Sequence, residues 1–66
     1  MYKTQILSQR ENEITNLLIK GLTNKEIAEE LAISIHTVKA HLEDIFAKLK
    51  VANRVQLAVK IVSKNN

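Results

Sequence analysis

Residues 36–43 read "HTVKAHLE", and five of these eight side chains (His36, Thr37, Lys39, His41 and Glu43) carry a hydrogen-bonding or ionisable group. Such a concentration admits three chemistries. The first is metal ligation, which geometry disfavours. His36 and His41 are five positions apart, roughly 140° around an α-helix, so they share no ligand face, and the chain has no Cys to complete a site. The second is catalysis. Ser8 and Ser34 read as helix caps, a single Gly leaves no glycine-rich phosphate loop, and 66 residues enclose little room for a pocket. No enzyme, cofactor, metal or small-molecule ligand is expected. The third is recognition of a polar surface. Lys39 can donate to guanine O6 and N7, and Glu43 can accept from cytosine N4. Thr37, His41 and Lys48 are better placed for phosphate. Glu43 cuts both ways, because a carboxylate near DNA repels phosphate unless it meets a cytosine amino group. It is either a base reader or a solvated residue beyond the groove.

These side chains need a helix to hold them, and four capping signatures divide the chain into four. Ser8 and Glu11 form an S-x-x-E capping box, and Gly21 can end the first helix in the left-handed conformation. Thr23 and Glu26 form a second box, with Leu22 and Ile27 as its hydrophobic staple. Ser34 is a third N-cap, stapled by Ile33 and Val38. Asn53 and Gln56 make a fourth, looser box. The spacing predicts an all-α domain with helices at about 9–20, 24–31, 35–49 and 54–63, and no period-two alternation that would suggest strands. Residues 1–66 form one domain, with 1–6 and 64–66 expected to fray.

The short turn at Leu31–Ile33 joins helices two and three as a helix-turn-helix. Ala28 is small enough for a close crossing, with Val38 as its packing partner. An ordinary helical hairpin would also accept that Ala. A short first helix, a tight turn and a capped long second helix together favour the nucleic-acid form. On helix three, Val38, Leu42, Ile45 and Leu49 make one core stripe with Phe46 at its edge. The opposite face carries His36, Lys39, Ala40, Glu43, Ala47 and Lys50. A face needing only solubility would be dense in Lys and Glu. Here the small Ala40 would let the backbone approach bases in a major groove, close to the helix N-terminus that reaches base edges in such motifs. His36, Lys39, Ala40 and Glu43 are therefore the base-reading candidates.

Helix four has two apolar stripes, Leu57–Ala58–Ile61 and Val55–Val59–Val62. A peripheral helix ordinarily buries one. The second stripe, Val55, Val59 and Val62, is the candidate dimer interface, unless the monomer itself envelops helix four.

Charge agrees with a polyanionic partner. The net charge is +3, with four basic and five acidic residues in 1–30 against six basic and two acidic in 31–66. The composition, 45% hydrophobic and 26% charged, is that of a soluble globular protein. No apolar run approaches the roughly 18 residues of a membrane span. The absence of Cys fits a cytoplasmic location.

Four motifs stand in order: L-S-x-R-E-x-E at Leu7–Glu13, G-L-T-N-K-E-I-A at Gly21–Ala28, I-S-x-x-T-V-K-x-H-L at Ile33–Leu42, and K-L-x-V-x-x-R at Lys48–Arg54. From about Leu7 to Val59 the chain resembles the LuxR/NarL-type (GerE-like) helix-turn-helix domain of bacterial transcription regulators. The resemblance implies a four-helix domain that binds double-stranded promoter DNA as a two-fold homodimer, with helix three in the major groove and helix four at the dimer contact. RNA polymerase is a further candidate partner. By the same resemblance Lys39, Ala40 and Glu43 fall where that family reads bases. Lys25, Thr37 and His41 fall at or near backbone-contact positions, and Arg54 belongs to the motif opening helix four. Ser34, Lys48, Lys50 and Arg54 complete the backbone-contact candidates.

Three departures qualify the resemblance. Lys50 stands where the family usually has Gly, and if that position is left-handed it costs about 1 kcal/mol or more while adding a cation near phosphate. Relatives often have a polar or basic residue at the Glu43 position, so no base preference transfers. Most members also carry a sensing or phosphoacceptor domain, so the chain is expected to be either a standalone regulator, like the short sporulation regulators, or an excised effector domain. Two other readings remain at this point. One is a promoter-recognition module resembling sigma-factor region four. The other is a protein-interaction module that titrates a larger regulator.

Overall fold

The computed structural model describes residues 4–65. Four helices follow one another: α1 (Gln9–Ile19), α2 (Asn24–Leu31), α3 (Ile35–Leu49) and α4 (Arg54–Asn65). All four begin where the capping residues predict, α1 ends at Ile19, and α4 continues to Asn65. No strand forms among the described residues, and no helix among them is long and apolar enough to cross a membrane. Of the segments expected to fray, residues 1–3 and 66 lie outside the described residues. Thr4 is tied to α1, its N–H donating to Asn12 Oδ1 (3.1 Å) and its carbonyl accepting from Asn12 Nδ2 (3.0 Å).

Each helix start satisfies backbone donors that would otherwise be orphaned. The Ser8 and Thr23 boxes close in both directions. Glu11 N–H donates to Ser8 Oγ while Ser8 N–H donates to Glu11 Oε1, and Glu26 and Thr23 repeat the arrangement. Ser34 Oγ accepts from Thr37 N–H at 3.0 Å. The fourth box takes a different form. Gln56 N–H donates to Asn53 Oδ1, but the Gln56 side chain accepts from Ala52 N–H, one residue before the N-cap.

The helix ends share one device. At Gly21, Ala32 and Lys50 the chain turns left-handed, with φ of 96°, 56° and 57°. The next residue's N–H then reaches back five positions: Leu22 to the Leu17 carbonyl, Ile33 to that of Ala28, and Val51 to that of Phe46. This is the Schellman arrangement, and each of the three pairs is apolar, as that motif favours.

Behind these ends sits one core. Ile14, Ile27, Val38, Ile45 and Leu57 are fully buried, and Leu18, Ala28, Leu42, Leu49 and Ile61 nearly so. Each fully buried branched residue contributes about 1.5–3 kcal/mol of burial. Ala28 and Val38, the pair read from the sequence for a close α2–α3 crossing, are both buried. The α3 core stripe is buried as read, with Phe46 half-buried at its edge. Fifteen residues make α3 about 22 Å long in a molecule of 31 × 20 × 20 Å, so its outer face occupies most of one side.

Candidate nucleic-acid interface

The outer face of α3 follows directly from its core stripe. With Val38, Leu42, Ile45 and Leu49 turned inward, His36, Lys39, Ala40, Glu43, Ala47 and Lys50 are left exposed. The four base-reading candidates therefore lie together on one solvent-facing surface in the first nine residues of the helix. Thr37 and His41 flank it, half-buried. Lys25 is exposed in the first turn of α2.

Ser34 has a local task. Its oxygen caps α3, and the Ser34 and Thr37 hydroxyls lie 2.8 Å apart, one donating to the other. This fixes the first turn, where the backbone N–H groups and the positive end of the helix dipole meet solvent and favour anions.

Three basic side chains of the positively charged half turn out to hold the helices together. Lys48 Nζ donates to Glu11 Oε1 at 2.7 Å, joining the last turn of α3 to the first turn of α1. The Arg54 guanidinium donates through Nη2 to the Leu22 carbonyl and through Nη1 to Asn24 Oδ1 at 3.3 Å. Lys60 Nζ donates to the Leu49 carbonyl at 2.7 Å, satisfying an acceptor at the end of α3. These partners lie 37, 30 to 32 and 11 residues away. No periodicity or capping spacing reveals contacts over such separations. The nearest signal was that Lys48 and Arg54 bracket the α3–α4 turn in a single motif.

Glu11 is buried, and that burial raises its carboxyl pKa more than any other single influence. The Lys48 ammonium, the Ser8 N–H, the Lys48 charge and the Ser8 hydroxyl together outweigh it, leaving the pKa below the ordinary 4.5. Glu26 is lowered as well, first by the Thr23 backbone N–H and then by its hydroxyl.

Lys50 takes the left-handed conformation anticipated for its position, with φ 57° and ψ 46°. This turns its side chain to solvent at the far end of the α3 face. Ile35, passed over in the sequence, is 41% exposed at the first position of α3. It is in register with the stripe, three positions before Val38 and seven before Leu42, so periodicity alone would bury it; its place at the very start of α3 leaves it partly in solvent beside Ser34 and His36.

The two stripes of α4 separate cleanly. Leu57 and Ile61 enter the core and Ala58 is half-buried, whereas Val55, Val59 and Val62 are 70%, 60% and 51% exposed.

The profile of the family described as bacterial regulatory proteins, luxR family, matches residues 5–61. Among curated relatives, the transcriptional regulatory protein LiaR of Bacillus subtilis is 55% identical over 53 residues, 80% of this chain and 25% of LiaR. The oxygen regulatory protein NreC of Staphylococcus carnosus is 45% identical over 91% of this chain and 28% of its own length. The response regulator protein VraR of Staphylococcus aureus is 41% identical over 92% of this chain and 29% of its own. The chain thus spans about a quarter of the length of the curated relatives it matches.

Proposed function

Because the chain belongs to the luxR family of bacterial regulatory proteins, we propose that it binds double-stranded promoter DNA sequence-specifically and regulates transcription. The observation that carries this is the α3 face. Ala40 sits exposed among His36, Lys39 and Glu43 in the first nine residues of α3. A major groove about 12 Å wide admits such a helix, and Ala40 lets it approach closely. Lys39 reads guanine, Glu43 a cytosine amino group, and His36 the edge of the same site. Lys25, Thr37, His41 and Lys50 contact the phosphate backbone around them, aided by the capped first turn at Ser34. Lys48 and Arg54, charged toward Glu11 and the Leu22 carbonyl, serve chiefly to hold the helices.

Two copies pair through Val55, Val59 and Val62, which matches two-fold symmetric half-sites about 34–36 Å apart. Isolated valines at a surface are ordinary, but three on one stripe of a helix whose other stripe is already buried favour a second copy. The relatives' names, a transcriptional regulatory protein and a response regulator, support regulation as the purpose. Bacterial promoters place the work in the cytoplasm, with RNA polymerase as a further partner once the protein is on DNA.

The exposed valine stripe also favours a second reading, in which the chain binds a larger regulator and no DNA. Duplex binding at about 50 and 200 mM salt separates the two, because phosphate contacts make log K fall linearly with log salt. Steeply salt-dependent affinity that falls further in Val59→Asp supports a DNA-binding dimer. No duplex affinity at low salt overturns it in favour of the protein-interaction reading. Binding unaffected by Val59→Asp overturns the pairing alone.

A further inference from the structure

Helix α4 carries the exposed valine stripe, yet among its described side chains only Leu57 and Ile61 are buried in the core, with Arg54 and Ala58 half-buried. Two cationic side chains supplement this narrow apolar seam. Arg54, the first residue of α4, reaches over the α3–α4 turn to two acceptors on the α1–α2 side, the Leu22 carbonyl and Asn24 Oδ1. Asn24 is itself the first residue of α2. Lys60, in the middle of α4, donates to the Leu49 carbonyl at the end of α3. One fastener therefore ties α4 to the start of α2, and the other ties it to the end of α3. Two points on different helices define both the position and the angle of α4 against the helix-turn-helix.

We propose that Arg54 is a positioning residue. It fixes the geometry between the α4 valine stripe and the α3 reading face, and so sets the half-site spacing that a dimer accepts. Lys60 is the second fastener of the same linkage. This rests on the reading of the chain as a DNA-binding dimer. The guanidinium suits the task because its planar fork supplies two donors in fixed relative directions, which a lysine ammonium does not. The part-buried Leu22 and Leu49 carbonyls also gain a donor. Hydrogen bonds to a neutral carbonyl and an amide oxygen leave the guanidinium charged, but they commit two of its N–H donors to the protein and hold them away from a phosphate. The positioning role and a phosphate role therefore predict different consequences of the same substitution.

The test compares wild type with Arg54→Met, which keeps an unbranched stem and loses the donors, and with Arg54→Lys, the milder change. Each is offered a pool of duplexes in which the selected half-sites are separated by spacers of varied length. The affinity of each protein for random duplex is followed with salt. Native-state amide hydrogen exchange on the DNA-free proteins reports how firmly α4 is held. The expected result is one preferred spacing for wild type and a broadened set for Arg54→Met, with neighbouring spacers bound within about threefold of the best. The salt slope stays unchanged, and α4 amides exchange at least about tenfold faster while those of α1 do not. Arg54→Lys falls between. Lys60→Met accelerates the same α4 amides.

Unchanged spacing preference and unchanged α4 exchange in Arg54→Met overturn the proposal. So does a salt slope shallower by about 0.9 per protomer with spacing intact, which would make Arg54 a phosphate contact. If wild type itself selects no paired half-sites, the dimer reading fails. The fastening is then decided by hydrogen exchange alone, and α4 protection that is insensitive to both Arg54 variants overturns it. Should Arg54→Met fail to fold, Arg54→Lys carries the same spacing and exchange readouts.

Discussion

Lys50 and Ala32 each hold left-handed backbone that an L side chain adopts at a cost of about 1 kcal/mol or more. At Gly21 the same turn is made by the residue suited to it. Ala32 and Lys50 persist because each closes a Schellman turn whose apolar pair, Ala28 with Ile33 or Phe46 with Val51, lies in or against the core. Lys50→Gly and Ala32→Gly should therefore each stabilise the fold by about 0.5–1 kcal/mol, after the entropy that Gly adds to the unfolded chain. Urea denaturation would show this as a higher midpoint with an unchanged m value. The Lys50 strain was legible because a motif position usually filled by Gly holds Lys. The Ala32 strain was not, since nothing in the residues around Ala32 marks it as left-handed. Thr15 offers a second case, because its hydroxyl is buried without a hydrogen-bond partner. Thr15→Val keeps the shape and removes that oxygen, and it should stabilise by about 1 kcal/mol in the same assay.

At the scale of elements, local signals and long-range ones part company. The capping boxes at Ser8 and Thr23 close within three residues, so the helix starts could be read from the sequence. The contact from Lys48 to Glu11 spans 37 positions and exists only once α1 and α3 have packed. The sequence offers Lys48 and Arg54 as phosphate contacts, and in the fold each also has a partner on another element, Glu11 and the Leu22 carbonyl. The α1–α3 tie makes stability depend on acid. The Glu11 carboxyl pKa is depressed in the fold, so its contribution is complete above the ordinary value of 4.5 and disappears as pH falls through the lower folded value. The exposed Glu26 carboxylate adds to the same acid limb. In Glu11→Gln, the amide oxygen can still accept from Ser8 N–H, but the charge facing Lys48 is gone. We expect a loss of about 0.5–1 kcal/mol at neutral pH, kept small because Lys48 is partly exposed, and a shallower loss of stability below pH 4.5. Thermal melts at stepped pH for both proteins would check it.

Across the whole molecule, a basic half by composition is not the same as a basic surface available to a ligand. Six basic residues stand in 31–66, but Lys48, Arg54 and Lys60 are engaged within the fold. The cations left to the proposed interface are Lys25, Lys39 and Lys50. If Lys25 and Lys50 of both protomers meet phosphate, log K should fall with log salt at a slope of about −4. A slope of about −7 would put Lys48 and Arg54 on phosphate as well. The sequence carried the helix-turn-helix and the exposed α3 face, because amphipathic periodicity determines both. The charge available to a partner depends on which lysines and arginines the tertiary structure occupies.

The claim that α3 reads bases is tested most directly by selection from a random duplex pool, comparing wild type with Lys39→Ala. Wild type should enrich an inverted repeat with half-sites about one helical turn apart. Lys39→Ala should lose discrimination at one position in each half-site, by about 1–3 kcal/mol, while its affinity for random duplex changes far less. Enrichment of the same sequence with the same preferences by both proteins, or of no sequence by wild type, would contradict it.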